Sequence, residues 1–187
     1  MSGLTKIYTR AGDGGITRLA DGREVAKDST RIAALGAVDE LNAQIGLALS
    51  LGLCETLAAY LEEVQHRLLD LGAELAGALG REDGPRRQRL RADHVRLLEV
   101  MIDEFNGALG PLRDFILPGG SPAAAALQLA RTVCRRAERQ VVALSRQEEL
   151  GEHVIPFLNR LSDALFVMAR FENHQQRTAE KLWRRGG

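Results

Sequence analysis

From residue 32 onward, apolar side chains recur at steps of three and four: Ile32, Leu35, Val38, Leu41, Ile45 and Leu49. This is the spacing of one helical face, and Ser29 or Thr30 supplies its start signal. Asp39 rides on the other side of that helix. Leu57, Leu61, Val64, Leu68, Leu71 and Leu75 follow in near-heptad spacing and predict a second helix over residues 55–79 with bundle packing. A third helix over 93–109 carries Val95, Leu98, Ile102, Phe105 and Leu109 toward the same core. The fourth starts at a serine-proline pair, Ser121 as N-cap and Pro122 as first helical residue, where a hydroxyl accepts a free N–H and proline has none to leave unpaired. Along it Ala126, Ala130, Val133, Cys134, Ala137, Val141 and Leu144 form one stripe, while Arg131, Arg135 and Glu138 lie nearly opposite with Arg139 beside them. Gly151 reads as a stop, and Pro156 stands near the start of a fifth helix whose Leu158, Leu161, Leu165 and Ala169 face inward. Asn159, Asp163, Phe166 and Arg170 follow on another face of it.

No sustained β-branched alternation follows Lys27, so the fold expected is an all-α, five-helix up-and-down bundle preceded by an irregular segment. Segment 1–28 precedes a bundle at 29–187, the whole being one domain of 187 residues. Glycines at 12, 14 and 15 give the loop before the first helix access to positive φ, so that its N–H groups either make a plain turn or converge on an anion. It is not a Walker A loop, because no GK[ST] follows. Residues 80–91, rich in glycine, proline and arginine, read as an exposed connection rather than a nucleic-acid patch, since no aromatics interleave with the charges.

Composition narrows the function classes. The 25 basic and 25 acidic residues cancel, which argues against a general attraction to nucleic acid or membrane and makes any anion site local. Cys54 and Cys134 lack CxxC spacing and read as reduced thiols. With no signal-like N-terminus and no stretch expected to span a bilayer, a soluble cytoplasmic protein is expected. Glu63 and His66 match one Glu-x-x-His pair, but a di-metal carboxylate site needs two such pairs and further glutamates, so no metal ligands are assigned. No GxSxG nucleophile motif occurs. The arginine face is either a solvated surface or a place where an anion or partner carboxylates bind, which would offset the repulsion among its guanidinium groups.

The blocks IYTRAGDGG, GAVDELNAQIG, FILPGGS, ARTVCRRAER and FLNRLSDALF, in this order and spacing, resemble the trimeric propanediol-utilisation type of ATP:cob(I)alamin adenosyltransferase. The resemblance covers residues 7–46 and 115–173. It implies a bundle of the ferritin-like or cobalamin adenosyltransferase-like kind, assembled as a homotrimer with ATP and corrinoid at subunit interfaces. Thr9, Arg10, Ala11, Gly12, Thr17 and Lys27 would wrap the triphosphate; Arg135, Arg136, Ala137, Glu138, Arg139 and Asn159 would complete the nucleotide site. Asp39 and Arg131 would pair across the interface, and Phe115 would stand beneath the corrin ring in place of the lower axial ligand. From its position alone, Phe115 reads rather as a core plug at the bundle end, and it is the resemblance that favours the wedge. The implied reaction is attack of cob(I)alamin on the 5′ carbon of ATP, with Mg²⁺ on the phosphates, a reductase supplying Co(I) and a B12-dependent enzyme accepting the product. The chain departs from the usual TRTGDKG at Ala11 and Gly14, which removes a hydroxyl and an ammonium group but leaves backbone N–H contacts. A catalytically silent nucleotide- or corrinoid-binding bundle is the alternative, and it has no use for an aromatic wedge at Phe115.

Overall fold

Helix starts are set by two serines. Ser29 Oγ accepts the Ile32 N–H at 3.5 Å, and Ser121 Oγ accepts the Ala124 N–H at 3.2 Å with Pro122 behind it. In the computed structural model, which describes residues 8–77, 89–112 and 114–184, these caps open α1 (Thr30–Ser50) and α4 (Pro122–Ser145). The other helices are α2 (Glu55–Leu75), α3 (Ala92–Gly107) and α5 (Val154–Gln175). Ahead of them, β1 (Ile16–Arg18) and β2 (Glu24–Ala26) pair as an antiparallel hairpin with Thr17 opposite Val25. Among the described residues the protein is therefore a five-helix bundle with one small hairpin.

Helix α4 lies between α1 and α5; α2 packs on the far side of α1 and α3 on α5. The contact surfaces are lined by small residues, Ala34 and Ala37 on α1 and Ala124, Ala130 and Ala137 on α4, which let helix axes approach closely. Leucines supply most of the buried bulk: Leu41, Leu61, Leu68, Leu71, Leu158 and Leu165 are all inside. Each fully buried side chain of this kind stabilises the fold by about 1.5–3 kcal/mol. One aromatic cluster lies where Phe105 meets Tyr60 edge-on at 5.6 Å and Phe171 at 4.7 Å.

Several expectations from the periodicity need correction. Helix α2 stops at Leu75, with Gly77 at φ +75° after it, rather than running to 79; residue 79, like 80–88, lies outside the described residues. Helix α4 ends at Ser145, so Gly151 is not its stop. Gly151 is instead a close-approach glycine: its N–H donates to Glu74 Oε1 at 3.1 Å, and a Cβ there would strike the same carboxylate. Helix α5 is buried almost all round, and Arg170, placed on an outer face by spacing, is inside and ion-paired with Glu180 at 3.0 Å. The Glu63 carboxylate pairs with Arg67 at 2.8 Å. Both cysteines are free; Cys134 lies in the core with its Sγ 3.2 Å from the Leu158 carbonyl, and Cys54 is half-buried at the start of α2.

Helix α1 also overturns the expectation that no segment reaches membrane-spanning length and apolarity, for it does so with mean hydropathy 1.3. It is nevertheless a bundle helix, packed on α2 and α4 and carrying Asp39 and Glu40 at its middle. Its buried end is tied by charge. Arg31 donates through Nε to Glu148 Oε1 at 3.1 Å, through Nη2 to Glu148 Oε2, and through Nη1 to the Leu75 carbonyl, joining α1, α2 and the loop after α4. The hairpin is moored at the same end, where the Ala20 N–H donates to the Ala76 carbonyl at 2.8 Å and Leu19 is buried.

Because Arg31 is buried, Glu148→Ala leaves its guanidinium without a carboxylate. We expect a loss of about 2–3 kcal/mol in unfolding free energy at neutral pH, less than for a fully buried pair because the Glu148 side chain is 33% exposed. The Arg31 hydrogen bonds hold the Glu148 carboxyl below its usual value, so this contribution is fully present above the ordinary carboxylate pKa and is lost as pH falls through the lowered one. Denaturant titrations of wild type and variant should converge in acid; a gap that persists there would refute the assignment.

Candidate functional site

The loop before β1 is a chain of short turns. Ala11 N–H donates to Thr9 Oγ1 at 3.4 Å, Asp13 N–H to the Arg10 carbonyl at 3.3 Å and Gly15 N–H to the Gly12 carbonyl at 3.2 Å. Arg10 sits at φ +62°, a left-handed conformation that non-glycine residues rarely adopt. Its guanidinium lies 5.7 Å from the Tyr8 ring centroid. The N–H groups of Gly12 and Gly14 donate to no protein group among the described residues. Lys27 folds back over this loop: a Cβ at Gly12 would come 2.7 Å from its ammonium nitrogen, so a larger residue there would displace the lysine tip. Thr9, Ala11, Gly12 and Thr17 line one open cleft of about 480 Å³ together with Ile16, Arg18 and Glu24. Loop and threonines thus converge on a space with donors to offer an anion, and the Lys27 ammonium lies beside Gly12 at its edge.

The second cluster lies on α4 and α5. Arg135 and Arg139 are exposed, and Arg139 Nη1 donates to the Arg135 carbonyl at 3.1 Å. Arg136 reaches α1 and pairs with Glu40 at 2.5 Å. Glu138 accepts from Asn159 Nδ2 at 3.1 Å; Asn159 Oδ1 accepts from Arg160 at 2.7 Å, and Arg160 pairs with Glu99 at 2.9 Å, a relay across α4, α5 and α3. Arg131 donates to Gln128 Oε1 at 2.9 Å and lies 6.0 Å from the Phe166 ring centroid. Burial, and then the neighbouring Arg135 charge, push the Arg131 guanidinium pKa downward, so both act against its charge. Asp39 is exposed and has no ion-pair partner among the described residues. Asp39 and Arg131 are not paired within the chain.

Phe115 is 68% exposed, so it is no core plug, and that alternative is withdrawn. Its ring meets Trp183 edge-on at 6.1 Å. The backbone beneath is paired: Leu117 N–H donates to the Lys181 carbonyl and Trp183 N–H to the Phe115 carbonyl, both at 2.7 Å. Leu117 and Trp183 are exposed beside it and make an apolar shelf.

The structure therefore brings together Thr9, Ala11, Gly12, Thr17 and Lys27 in one place, and Arg135, Arg136, Glu138, Arg139 and Asn159 in another. No hydrogen bond or ion pair joins the two among the described residues. Ala137 has to be corrected: it is wholly buried between α4 and its neighbours and offers no side chain to a nucleotide. Reading by spacing missed Trp183, although it is the chain's only tryptophan, and missed Gln128 and Phe166 as the groups that orient Arg131.

Comparison with known proteins bears on what these clusters serve. The family model for cobalamin adenosyltransferase matches residues 7–172. A cobalamin adenosyltransferase of Cupriavidus metallidurans is 48% identical over 183 residues, covering 97% of this chain and 96% of that one. A corrinoid adenosyltransferase of Bacillus subtilis is 46% identical over 173 residues, 90% of this chain and 86% of the relative. Among solved structures, a variant PduO-type ATP:corrinoid adenosyltransferase from Lactobacillus reuteri, complexed with cobalamin and ATP, superposes with a TM-score of 0.88 at 40% identity, covering 96% of this chain and 99% of that one. Sequence blocks, helical fold and these matches agree, and the chain belongs to the cobalamin adenosyltransferase family.

Proposed function

We propose that the protein transfers the 5′-deoxyadenosyl group of ATP to a cob(I)alamin substrate, giving adenosylcobalamin and triphosphate, at a site completed between subunits of a homotrimer. The observation that carries this reading is the division of the site in a single chain: an anion-ready cleft at loop 9–17 and, apart from it, an arginine face whose Arg131 and Arg135 have no carboxylate partner among the described residues. A neighbouring copy supplies what each half lacks. Exposed apolar side chains support the assembly: Leu47 on α1, Leu51 just after it and Leu129 on α4 all lie exposed. An apolar face of this kind beside unpaired charges suits a subunit contact.

In this reading the Co(I) electron pair attacks C5′, the bond from C5′ to the α-phosphate oxygen breaks, and its electrons leave on triphosphate. No proton is transferred, so no general base is required. Arg135, Arg136 and Arg139 hold the triphosphate with planar forks that match phosphate oxygens, and Lys27 with the loop N–H groups holds it from the other side. Charge accumulating on the leaving group is met by groups already in place. Asp39 and Arg131 pair across the interface, which offsets the cost of partly burying the Arg131 guanidinium. Phe115 lies under the corrin, keeps out the lower ligand and water, and leaves cobalt four-coordinate and easier to reduce. Mg²⁺ bound to ATP would neutralise part of the phosphate charge beside these cationic groups, with no protein ligand assigned to it. The setting is cytoplasmic, with a reductase delivering Co(I) and a B12-dependent enzyme taking the product. An exposed Phe115 backed by Trp183 disfavours a silent nucleotide binder, which has no work for that shelf.

An anaerobic assay with chemically reduced cobalamin, ATP and Mg²⁺, following loss of the Co(I) absorbance, tests the reaction directly. In it, Arg135→Ala should weaken ATP binding and turnover by about 2 kcal/mol or more, and Arg135→Lys should recover only part; unchanged ATP affinity and rate in a folded variant would refute the phosphate role. Light scattering should give a trimer, and a fully active monomer at micromolar concentration would remove the shared site. Because Phe115 is exposed, Phe115→Ala should change stability by no more than about 0.5 kcal/mol and leave ATP affinity intact, while turnover falls strongly; a stable variant with undiminished turnover excludes the wedge.

A further inference from the structure

We propose that Asn173, near the C-terminal end of α5, is a positioning residue that fixes the loop carrying Phe115; the proposal rests on the role given to Phe115 above. Asn173 is 3% exposed, and its amide is used twice. Nδ2 donates to the Gly119 carbonyl at 3.1 Å, and Oδ1 accepts the Ser121 N–H at 2.9 Å. These partners flank Gly120, which sits at φ +114° and against which a Cβ would collide with the Asn173 amide. Ser121 is the N-cap of α4, so one side chain sets both the loop and the point where the arginine-bearing helix begins.

The main chain of the same residue holds the other half of the shelf. Its carbonyl accepts the Thr178 N–H at 2.8 Å, where the chain turns back toward Phe115. From there it reaches Lys181 and Trp183, whose backbone bonds to Leu117 and Phe115 and whose indole ring complete the support. Arg170, three residues earlier on α5, pins the same returning segment through Glu180 at 3.0 Å. Asparagine is suited to this place because it offers a donor and an acceptor on one rigid plane, whereas aspartate has no N–H for Gly119 and leucine has neither. Asn173 is buried, and its effect on the reaction runs through the loop that carries Phe115.

Asn173→Ala and Asn173→Asp, assayed beside Phe115→Ala, test this with four measurements: melting temperature, KM for ATP, kcat with cob(I)alamin, and acrylamide quenching of Trp183, the chain's only tryptophan. We expect kcat of both Asn173 variants to fall by about 10- to 100-fold, as for a displaced reacting geometry, with KM for ATP within about twofold of wild type and with stronger quenching as the returning segment loosens. Aspartate should not rescue. If Asn173→Ala folds poorly, Gly120→Ala, which drives a methyl group into the same amide, should give the same pattern from the loop side. Wild-type kcat, or a fall that only tracks the folded fraction, overturns the positioning role. Unchanged Trp183 quenching overturns it independently of catalysis. Wild-type turnover in Phe115→Ala instead overturns the reading of Phe115 itself, which keeps the two failures apart.

Discussion

The structure depends on α4 being two different helices on its two sides. Its inner side is mostly alanine, valine and cysteine, with Leu127 and Leu144 among them, and α1 and α5 both lie against it. Alanine contributes little transfer free energy, so cohesion comes mostly from leucines, the majority of them on the neighbouring helices, and α4 serves as a thin central wall. Its outer side carries Arg131, Arg135, Arg136 and Arg139, which repel one another. Glu40 and Glu138 offset part of this, the latter through Asn159 and Arg160 to Glu99. What remains without a carboxylate among the described residues, Arg131, Arg135 and Arg139, is the part of the helix most in need of an anion. A bundle that packed α4 with bulkier residues would gain core volume but would move these guanidinium groups outward, away from the elements that aim them.

The helices were legible because their causes are local. Three-and-four spacing marks buried faces, and Ser29 and Ser121 with Pro122 are caps whose hydrogen bonds reach only three residues along the chain. Features that depend on distant partners were not legible. Gly151 resembles a helix stop, yet it is small because Glu74, far away in sequence, approaches it. Arg170 falls outside the inward stripe, yet α5 is surrounded and Glu180 neutralises the charge there. Ala137 entered the site only because it stands between Arg136 and Glu138 in a motif; consecutive residues on a helix point about 100° apart, so a motif carries along neighbours that face the core.

The site shows the same division. Residue types that suit phosphate were visible in the loop and on α4, and the fold brings each set together. That the sets stand apart within one chain, and that Phe115 is exposed on a shelf built from the returning C-terminal segment, required coordinates, since nothing in the spacing of residues 115 and 183 signals that they touch. The hairpin follows a similar logic. Moored to the bundle at Leu19 and Ala20, it leaves loop 9–17 free of the packing that fixes the helices.

The two cysteines acquire a meaning once the chemistry is considered. A thiolate is a soft ligand for cobalt and a good nucleophile toward an activated 5′ carbon, so one within reach of the substrates would compete with the corrinoid in both roles. Burial drives the Cys134 thiol far above its ordinary pKa, and burial raises that of Cys54. Both therefore stay protonated at neutral pH, and Cys134 is sealed behind α4 from the face that carries the arginines. The wall that aims the guanidinium groups outward also keeps its sulfur out of the reaction.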